Sequence, residues 1–323
     1  MEILFLDSSP SSHHQRFVEL FSTLGNVHSV YVDFQQKAPA LEFGLVVFAD
    51  LDVTVDYARE FSVPRVGLSW AWDLQMTLRR GPDVEVKLIR AIKLVDILIV
   101  DSAVVEKIAE GFGIPRSKIV RVPYGIDLEN YPLRKFKKSN SENLRLFTNR
   151  RWEEIYRPQL LLEMARELSN SEMKFELFIA NDGSLRESLI NEYSRLFENG
   201  SCIWLGKISQ SQNIMELEKA DIYLSVAKSD GSSLSLLEAM AIGTPALVTD
   251  HPANREWVDE NITGYLFSGS LGIDLAKKIL SLNLDFISNS QLPKLSHNRI
   301  LRDANWTLIR EILLSRVQGI LHI

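Results

Sequence analysis

The sequence predicts an α/β protein made of two doubly wound units, each a parallel sheet wrapped by helices. Three observations predict it. Short apolar runs alternate with longer mixed segments of helical length along the chain. The runs fall into two sets of about six, parted by the polar, basic stretch Leu133 to Asn143. The segments richest in small and charged residues follow apolar runs directly, and open parallel sheets gather ligands at the carboxyl ends of their strands.

In chain order, the first set of predicted strands is Ile3–Leu6, Val27–Val32, Leu45–Phe48, Arg65–Ser69, Ile97–Val100 and Ile119–Val122. The second is Leu144–Phe147, Phe175–Ile179, Cys202–Leu205, Ile222–Val226, Ala246–Val248 and Gly264–Phe267. Residues 1–135 are read as the first domain, 136–143 as a linker, 144–303 as the second domain and 304–323 as a closing helix. In that helix Trp306, Ile309, Ile312, Leu313, Val317 and Ile320 recur at helical spacing. No internal repeat or low-complexity tract is visible.

A length of 323 residues suits about two domains, and a hydrophobic fraction of 46% supports sizeable cores. The net charge of -6 is not the basic footprint of a nucleic-acid binder, so no nucleic-acid partner is expected. One cysteine, Cys202, cannot make an intrachain disulfide; within Cys202-Ile203-Trp204-Leu205 it reads as core packing. No apolar run reaches the ~18 residues of a membrane-crossing helix. The start, Met1 to Asp7, lacks the basic region of a signal peptide and reads as a buried strand, so a cytoplasmic location is expected.

The densest chemistry lies in Ser229–Asp250. An acid, Asp230, opens a loop of small residues, Gly231-Ser232-Ser233, and an apolar helix follows from about Ser233. Glu238 sits one to two turns in, among Leu236, Leu237, Ala239 and Met240, which argues against a solvated face. The helix breaks at Gly243-Thr244-Pro245. A helix N-terminus presents unpaired N–H groups and partial positive charge, which suits phosphate. Carboxylates beside it can accept hydrogen bonds from ribose or sugar hydroxyls. The pattern points to a nucleotide-sugar pocket.

This segment resembles the nucleotide-sugar motif of glycosyltransferase family 4, whose members have the GT-B fold of two Rossmann-like domains facing a cleft. The family pattern is an acid, seven residues, Glu, then Ala-Met-Ala and Gly-Thr-Pro; here Asp230 stands where the family usually has Glu. The segments Ala91–Ser102 and Gly113–Asp127 resemble the family run that leads to the interdomain linker. Gly125 reads as a tight turn and Asp127 as its cap or orienting group. Ser69-Trp70-Ala71-Trp72-Asp73 resembles a Trp-Gly-Ser-Asp element: Asp73 either meets an acceptor hydroxyl or the transferred sugar, or caps a helix. Trp70 and Trp72 either stack on a sugar or belong to the core.

Thr148–Pro158 occupies the place of the family's diphosphate-binding Arg and Lys. Arg150 matches the arginine, Arg157 the lysine with a shift of about two residues, and Arg151 is the substitute. Ala180–Leu185 stands at a Gly-x-Gly turn with only Gly183 kept, and reads as a turn before a helix. The loop Gly206–Ser209, with Ile208, matches the one framing the nucleobase. His251–Phe267 resembles the family tail without its Gly-Gly, with Glu256 organising a pocket or capping a helix. The loop Asp7–Arg16 lacks the family's glycine pair and is expected to be an ordinary polar loop. His13 and His14 lack companions at ligand spacing, so no metal site is expected.

The resemblance implies a retaining, metal-independent transfer of a hexosyl group from a nucleoside diphosphate sugar to a hydroxyl of a glycan, lipid-linked or small-molecule acceptor, with no further cofactor. Arg150, Arg157, Asp230 and Asp73 would carry catalysis. Glu238, Gly231, Ser232, Ser233, Leu234, Ile208 and Arg151 would bind the donor. The closing helix would cross back to the first domain. Another GT-B reaction (epimerisation or inverting transfer) and a sugar-nucleotide-binding subunit without catalysis stay open. A dehydrogenase lacks its Gly-x-Gly-x-x-Gly after a strand. Basic residues Arg79, Arg80, Lys87, Arg90, Lys93, Arg134, Lys135, Lys137 and Lys138 are either solvated charge or a peripheral contact with an anionic membrane face.

Overall fold

The structure is a computed structural model; it describes residues 1–323 apart from 9, 11, 70, 76–79, 135–142, 283–290 and 323. The chain forms two compact units, Met1–Gly125 with Trp306–Ile323, and Ile126–Asn305.

The apolar runs become strands. In the first unit these are β1 (Glu2–Asp7), β2 (Asn26–Tyr31), β3 (Leu45–Ala49), β4 (Arg65–Leu68), β5 (Ile97–Val100) and β6 (Ile119–Arg121). They form one parallel sheet in the order β2-β1-β3-β4-β5-β6. The strand order reverses between β1 and β3. Every residue of β3 and β5 is buried, as expected of strands covered on both faces, which read as unbroken apolar runs.

The second unit holds β7 (Leu144–Thr148), β8 (Phe175–Ala180), β9 (Cys202–Gly206), β10 (Ile222–Ser225), β11 (Ala246–Thr249) and β12 (Tyr265–Phe267). Its parallel order is β12-β11-β10-β7-β8-β9. Read from β9, this is the dinucleotide-fold order, with its switch point between β7 and β10. Side chains alternate across the sheet with period two. Leu146, Leu224 and Leu247 enter the core on one face; Phe147, Tyr223, Ala246 and Val248 enter the core on the other. The helix Leu234–Ile242 buries Leu236, Leu237, Ala239, Met240, Ala241 and Ile242 on that second side. A helix apolar on nearly all sides has to be interior. Cys202 is buried, and burial pushes its thiol up to about 12, so it is inert packing.

The helix Trp306–Leu321 belongs to the first unit. Ile309, Leu313 and Val317 are buried, while Ile312, on the expected apolar stripe, is 50% exposed. The Arg16 guanidinium lies 4.6 Å over the Trp306 ring and donates to the Tyr124 and Gly125 carbonyls at 2.8 and 2.6 Å. Gly125 has φ +70°, and a Cβ there would meet Ile309 at 2.8 Å, so the turn demands glycine. The next residues, read with the first domain, pack elsewhere: Ile126 and Tyr131 are core of the second unit, and Ile126 bridges to Asn305. Of the linker 136–143, only Asn143 falls among the described residues.

The loop after β1 is less ordinary than its composition suggests. His14 is 2% exposed, its Nδ1 2.9 Å from Asp7 Oδ2 and its Nε2 2.9 Å from Ser29 Oγ. These bonds satisfy a buried imidazole and tie the first helix, Ser12–Phe21, to β1 and β2.

Candidate functional site

The crevice outside the carboxyl ends of β7, β10 and β11 brings together residues far apart in sequence. After β7 the chain runs Asn149-Arg150. Arg150 donates through Nη2 to Asp230 Oδ2 and through Nη1 to Ser233 Oγ, both at 2.6 Å. Its guanidinium also lies 4.3 Å over the Tyr156 ring. Burial works against its charge, but the Asp230 carboxylate, Tyr223 and Tyr156 together outweigh this and its pKa is raised. The group is a cation locked in orientation.

Ser233 takes the N-cap position of the helix Leu234–Ile242, yet its side chain caps nothing, because its hydroxyl accepts from Arg150. The first-turn N–H groups thus lack the side-chain acceptor that Ser usually provides. Gly231, Ser232 and Ser233 are buried, and Leu234 is half-buried. Small residues here keep the backbone, rather than side chains, at the helix mouth.

Arg157 has left-handed backbone (φ +51°) just before Pro158 opens the helix Pro158–Ser169. Its Nε donates to the Val226 carbonyl, and its Nη2 to Thr249 Oγ1 at 2.9 Å, spanning the ends of β10 and β11. Burial alone moves its pKa, downward; among the described residues no carboxylate pairs with it. Arg151 takes a different place: its side chain is 64% exposed and stands 3.7 Å from Glu153.

Glu238 is held in a network that no motif announces. Tyr131 donates to its Oε1 at 2.6 Å and Asn213 Nδ2 to its Oε2 at 3.0 Å. Asn149 Nδ2 donates to Asn213 Oδ1, and Tyr223 donates to Asn149 Oδ1, both at 2.9 Å. These bonds fix the orientation of the Glu238 carboxylate. Ile208 and Leu234 pack on the same apolar cluster beneath. Gly183 packs against the backbone of Trp152: a Cβ there would lie 2.5 Å from the Trp152 carbonyl oxygen.

Asp250 and His251 follow β11. Asp250 turns to Arg255 Nη2 (2.8 Å) and Ser268 Oγ (2.9 Å), and bonding to Arg255 holds its pKa low. Glu256 gives its backbone carbonyl to Arg299 at 2.8 Å.

Asp73 lies in the first unit, 1% exposed. It accepts from Ser69 Oγ at 2.6 Å, from Leu74 N at 2.9 Å and from Leu51 N at 3.2 Å. Burial raises its pKa to about 6. Asp50, which the motif reading passed over, accepts from Ser8, has left-handed backbone, and burial raises its pKa to about 7. Trp72 is 50% exposed, and Trp70 lies outside the described residues. Two of the basic residues are already paired: Arg80 with Asp52 at 3.0 and 2.7 Å, Arg90 with Asp56 at 2.5 Å. Arg79, Lys135, Lys137 and Lys138 lie outside the described residues. Among the described residues, no three His, Cys, Asp or Glu are grouped to hold a metal ion, and no helix is long and apolar enough to cross a membrane.

The second unit's crevice can therefore hold an anion against two guanidinium groups and a helix mouth, with an oriented carboxylate nearby. The chain is 26% identical over 197 residues to an alpha-monoglucosyldiacylglycerol synthase of Streptococcus pneumoniae, covering 58% of this chain and 44% of that one. It is 28% identical over 161 residues to the amylovoran biosynthesis glycosyltransferase AmsK of Erwinia amylovora, covering 48% and 39%. The matches thus span less than half the length of either relative. Among solved structures, Anabaena Alr3699/HepE in complex with UDP-glucose has a TM-score of 0.78 at 16% identity, covering 99% of this chain and 100% of that one. The sucrose-phosphate synthase of Thermosynechococcus elongatus has a TM-score of 0.76 at 13% identity, covering 99% and 98%. These likenesses show the fold, which is GT-B. Residues 132–295 match the family of glycosyl transferases group 1, which is more than half of the chain, and the chain belongs to that family.

Proposed function

We propose that the protein is a retaining glycosyltransferase that moves a hexosyl group from a nucleoside diphosphate sugar to an acceptor hydroxyl. One observation carries the reading: Arg150, Arg157, Asp230 and the mouth of the helix Leu234–Ile242 converge at the switch point of the second sheet. The fold neighbour Anabaena Alr3699/HepE, solved in complex with UDP and with UDP-glucose, supports a nucleotide-sugar donor.

In this reading the bond from the sugar's anomeric carbon to the diphosphate oxygen breaks, and its electron pair leaves with the diphosphate. Arg150, Arg157 and the helix mouth stabilise the developing charge; such preorganised donors are usually the largest catalytic contribution. Their positive charge does the work a divalent cation does elsewhere, so the reaction is proposed to run without metal. Asp230 meets sugar hydroxyls and Glu238 the ribose. The acceptor hydroxyl forms the new bond on the face the diphosphate leaves, and its proton passes to a departing phosphate oxygen. Asp73 is assigned to the acceptor side.

The acceptor is proposed to be a lipid or lipid-linked hydroxyl, in line with the Streptococcus pneumoniae relative, an alpha-monoglucosyldiacylglycerol synthase. The test is a screen of UDP-, GDP- and ADP-hexoses by thermal shift, since a bound ligand stabilises by mass action, followed by product analysis. Transfer with the anomeric configuration of the donor is expected. An inverted anomer overturns the retaining mechanism. Donor binding with neither transfer nor hydrolysis makes the chain a binding subunit.

A further inference from the structure

His251 carries a buried ring nitrogen with no hydrogen-bond partner among the described residues, within electrostatic reach of the two arginines of the proposed donor site. The residue follows β11 by one position. Its backbone is pinned: the His251 N–H donates to the Thr249 carbonyl at 3.0 Å, and Asn254 Nδ2 donates to the same carbonyl at 2.8 Å. Thr249 is also the residue whose hydroxyl receives Arg157. The ring is pinned as well, because its Nδ1 accepts from the Asn254 backbone N–H at 3.4 Å. With Nδ1 accepting, the neutral imidazole carries its proton on Nε2. Nε2 is buried and has no hydrogen-bond partner among the described residues.

A buried polar group without a partner costs free energy. Such a group is worth an explanation. The charged groups within electrostatic reach of His251 are Asp230, Arg150, Asp250 and Arg157. Asp250 is engaged with Arg255 and Ser268, and Asp230 with Arg150. Burial lowers the ring's pKa, which keeps it neutral and holds the Nε2 proton in place at neutral pH. What is missing from this corner is an acceptor that both arginines also favour.

We infer that His251 is a third donor to the diphosphate of the nucleotide sugar, giving its Nε2–H to a phosphate oxygen that Arg157 also faces. The inference rests on the donor-site reading above and adds a residue to it. Phosphate oxygens only accept, and they carry the charge the two guanidinium groups attract; a sugar hydroxyl satisfies the first need but not the second. The contact strengthens as charge moves onto the leaving diphosphate, so His251 contributes to turnover as well as binding.

The probe is whichever of UDP, GDP and ADP binds the native chain most tightly by calorimetry. His251→Phe keeps the ring volume and removes the donor; His251→Gln restores an N–H at a similar reach. A loss of about tenfold in nucleoside diphosphate affinity is expected for the Phe variant, in the range of one hydrogen bond to a charged acceptor. The Gln variant should recover most of it. By nitrogen-edited NMR, the His251 Nε2 proton should shift on adding the nucleoside diphosphate and not on adding the nucleoside. Unfolding temperatures within a few degrees of native exclude a folding defect. If the Phe variant binds as tightly as native while Arg150→Ala loses binding, His251 touches no phosphate and the donor site stands without it. If native protein binds none of the three, the donor-site reading falls and this inference with it.

Discussion

In the first unit, β1 ends in Asp7, Asp50 follows β3, and Asp101 follows β5, with Asp73 on the short helix after β4. In the second, the ends of β7, β10 and β11 lead to Arg150 and Arg157, to Asp230, and to His251. The two sheets share one plan, and open sheets of this kind bind at such ends. Their charges are opposite. An anion at the second sheet meets Arg157, whose charge no described carboxylate cancels, and Arg150, whose orientation Asp230 and Ser233 fix. At the first sheet it would meet carboxyls whose pKa values burial raises to about 7 and 6, at Asp50 and Asp73. The difference supports the proposed placement of the diphosphate at the second unit, and under that proposal the first unit is left to a partner that does not carry high negative charge.

Removing the cation that the second sheet has oriented breaks the comparison most severely. Arg150→Ala deletes one phosphate donor and leaves Asp230 facing the leaving group without its counter-ion. Turnover should fall by about two to four powers of ten with the fold intact, the scale of a lost oxyanion contact. A folded variant with native turnover would mean the second sheet's charge is structural.

The first sheet is tested through pH. The folded pKa of Asp50 lies near 7, above its ordinary value of 3.8, and burial is the leading cause. For a raised pKa, the associated stability is present below about 4 and is lost as pH rises toward 7, while the unfolded chain sheds its proton first. Asp50→Asn cannot ionise. Relative to native, it should gain stability across that window, by up to about 4 kcal/mol if the whole shift is realised. Denaturant unfolding at pH 5 and pH 8 reads the difference. A gap between variant and native that does not change with pH would remove Asp50 from the account.

A smaller effect separates ribose recognition from phosphate recognition. Glu238→Gln keeps the shape and one acceptor oxygen but loses charge-assisted acceptance, and turns an N–H toward Tyr131 or Asn213. Nucleoside diphosphate affinity should weaken by about 1.5–3 kcal/mol. Calorimetry showing unchanged affinity would leave Glu238 as a packing residue.

What the sequence made legible was the part written locally. Apolar runs such as Leu45–Ala49 and Ile222–Ser225 became strands because burial on both faces demands unbroken apolar residues. Arg150, Arg157 and Asp230 stood out through their resemblance to the family's motif, in segments that come after strands. The rest depends on contacts that sequence spacing does not encode. Tyr131 lies 107 residues from Glu238, and nothing near it signals that its hydroxyl reaches that carboxylate. Asn149 and Asn213 meet only because β7 and the helix Gln210–Lys219 pack together. Asp50 sits between β3 and the helix Leu51–Ala58 among unremarkable neighbours, and only burial gives it a raised pKa. His14 looked like a loop residue because its partners, Asp7 and Ser29, come from two strands.

The weakest expected effect concerns the first unit's basic surface. If that unit serves a lipid acceptor, its cations should draw it to an anionic bilayer at about 1 kcal/mol for each residue near the surface. Arg80 is held by the nearly buried Asp52, and Arg90 by Asp56, so these two have less charge to offer. Lys87 and Lys93, on the helix Pro82–Leu94, carry no such pairing among the described residues and should matter more. Vesicles with anionic lipid should bind the protein at low salt and release it as salt screens the charges. Lys87→Gln with Lys93→Gln should weaken that binding more than Arg90→Gln. Arg80→Gln should act instead on stability, by leaving Asp52 without its partner inside the unit. If no binding to such vesicles appears even at low salt, the first unit takes a soluble acceptor, and the contrast between the two sheets is one between an anion site and a neutral sugar site.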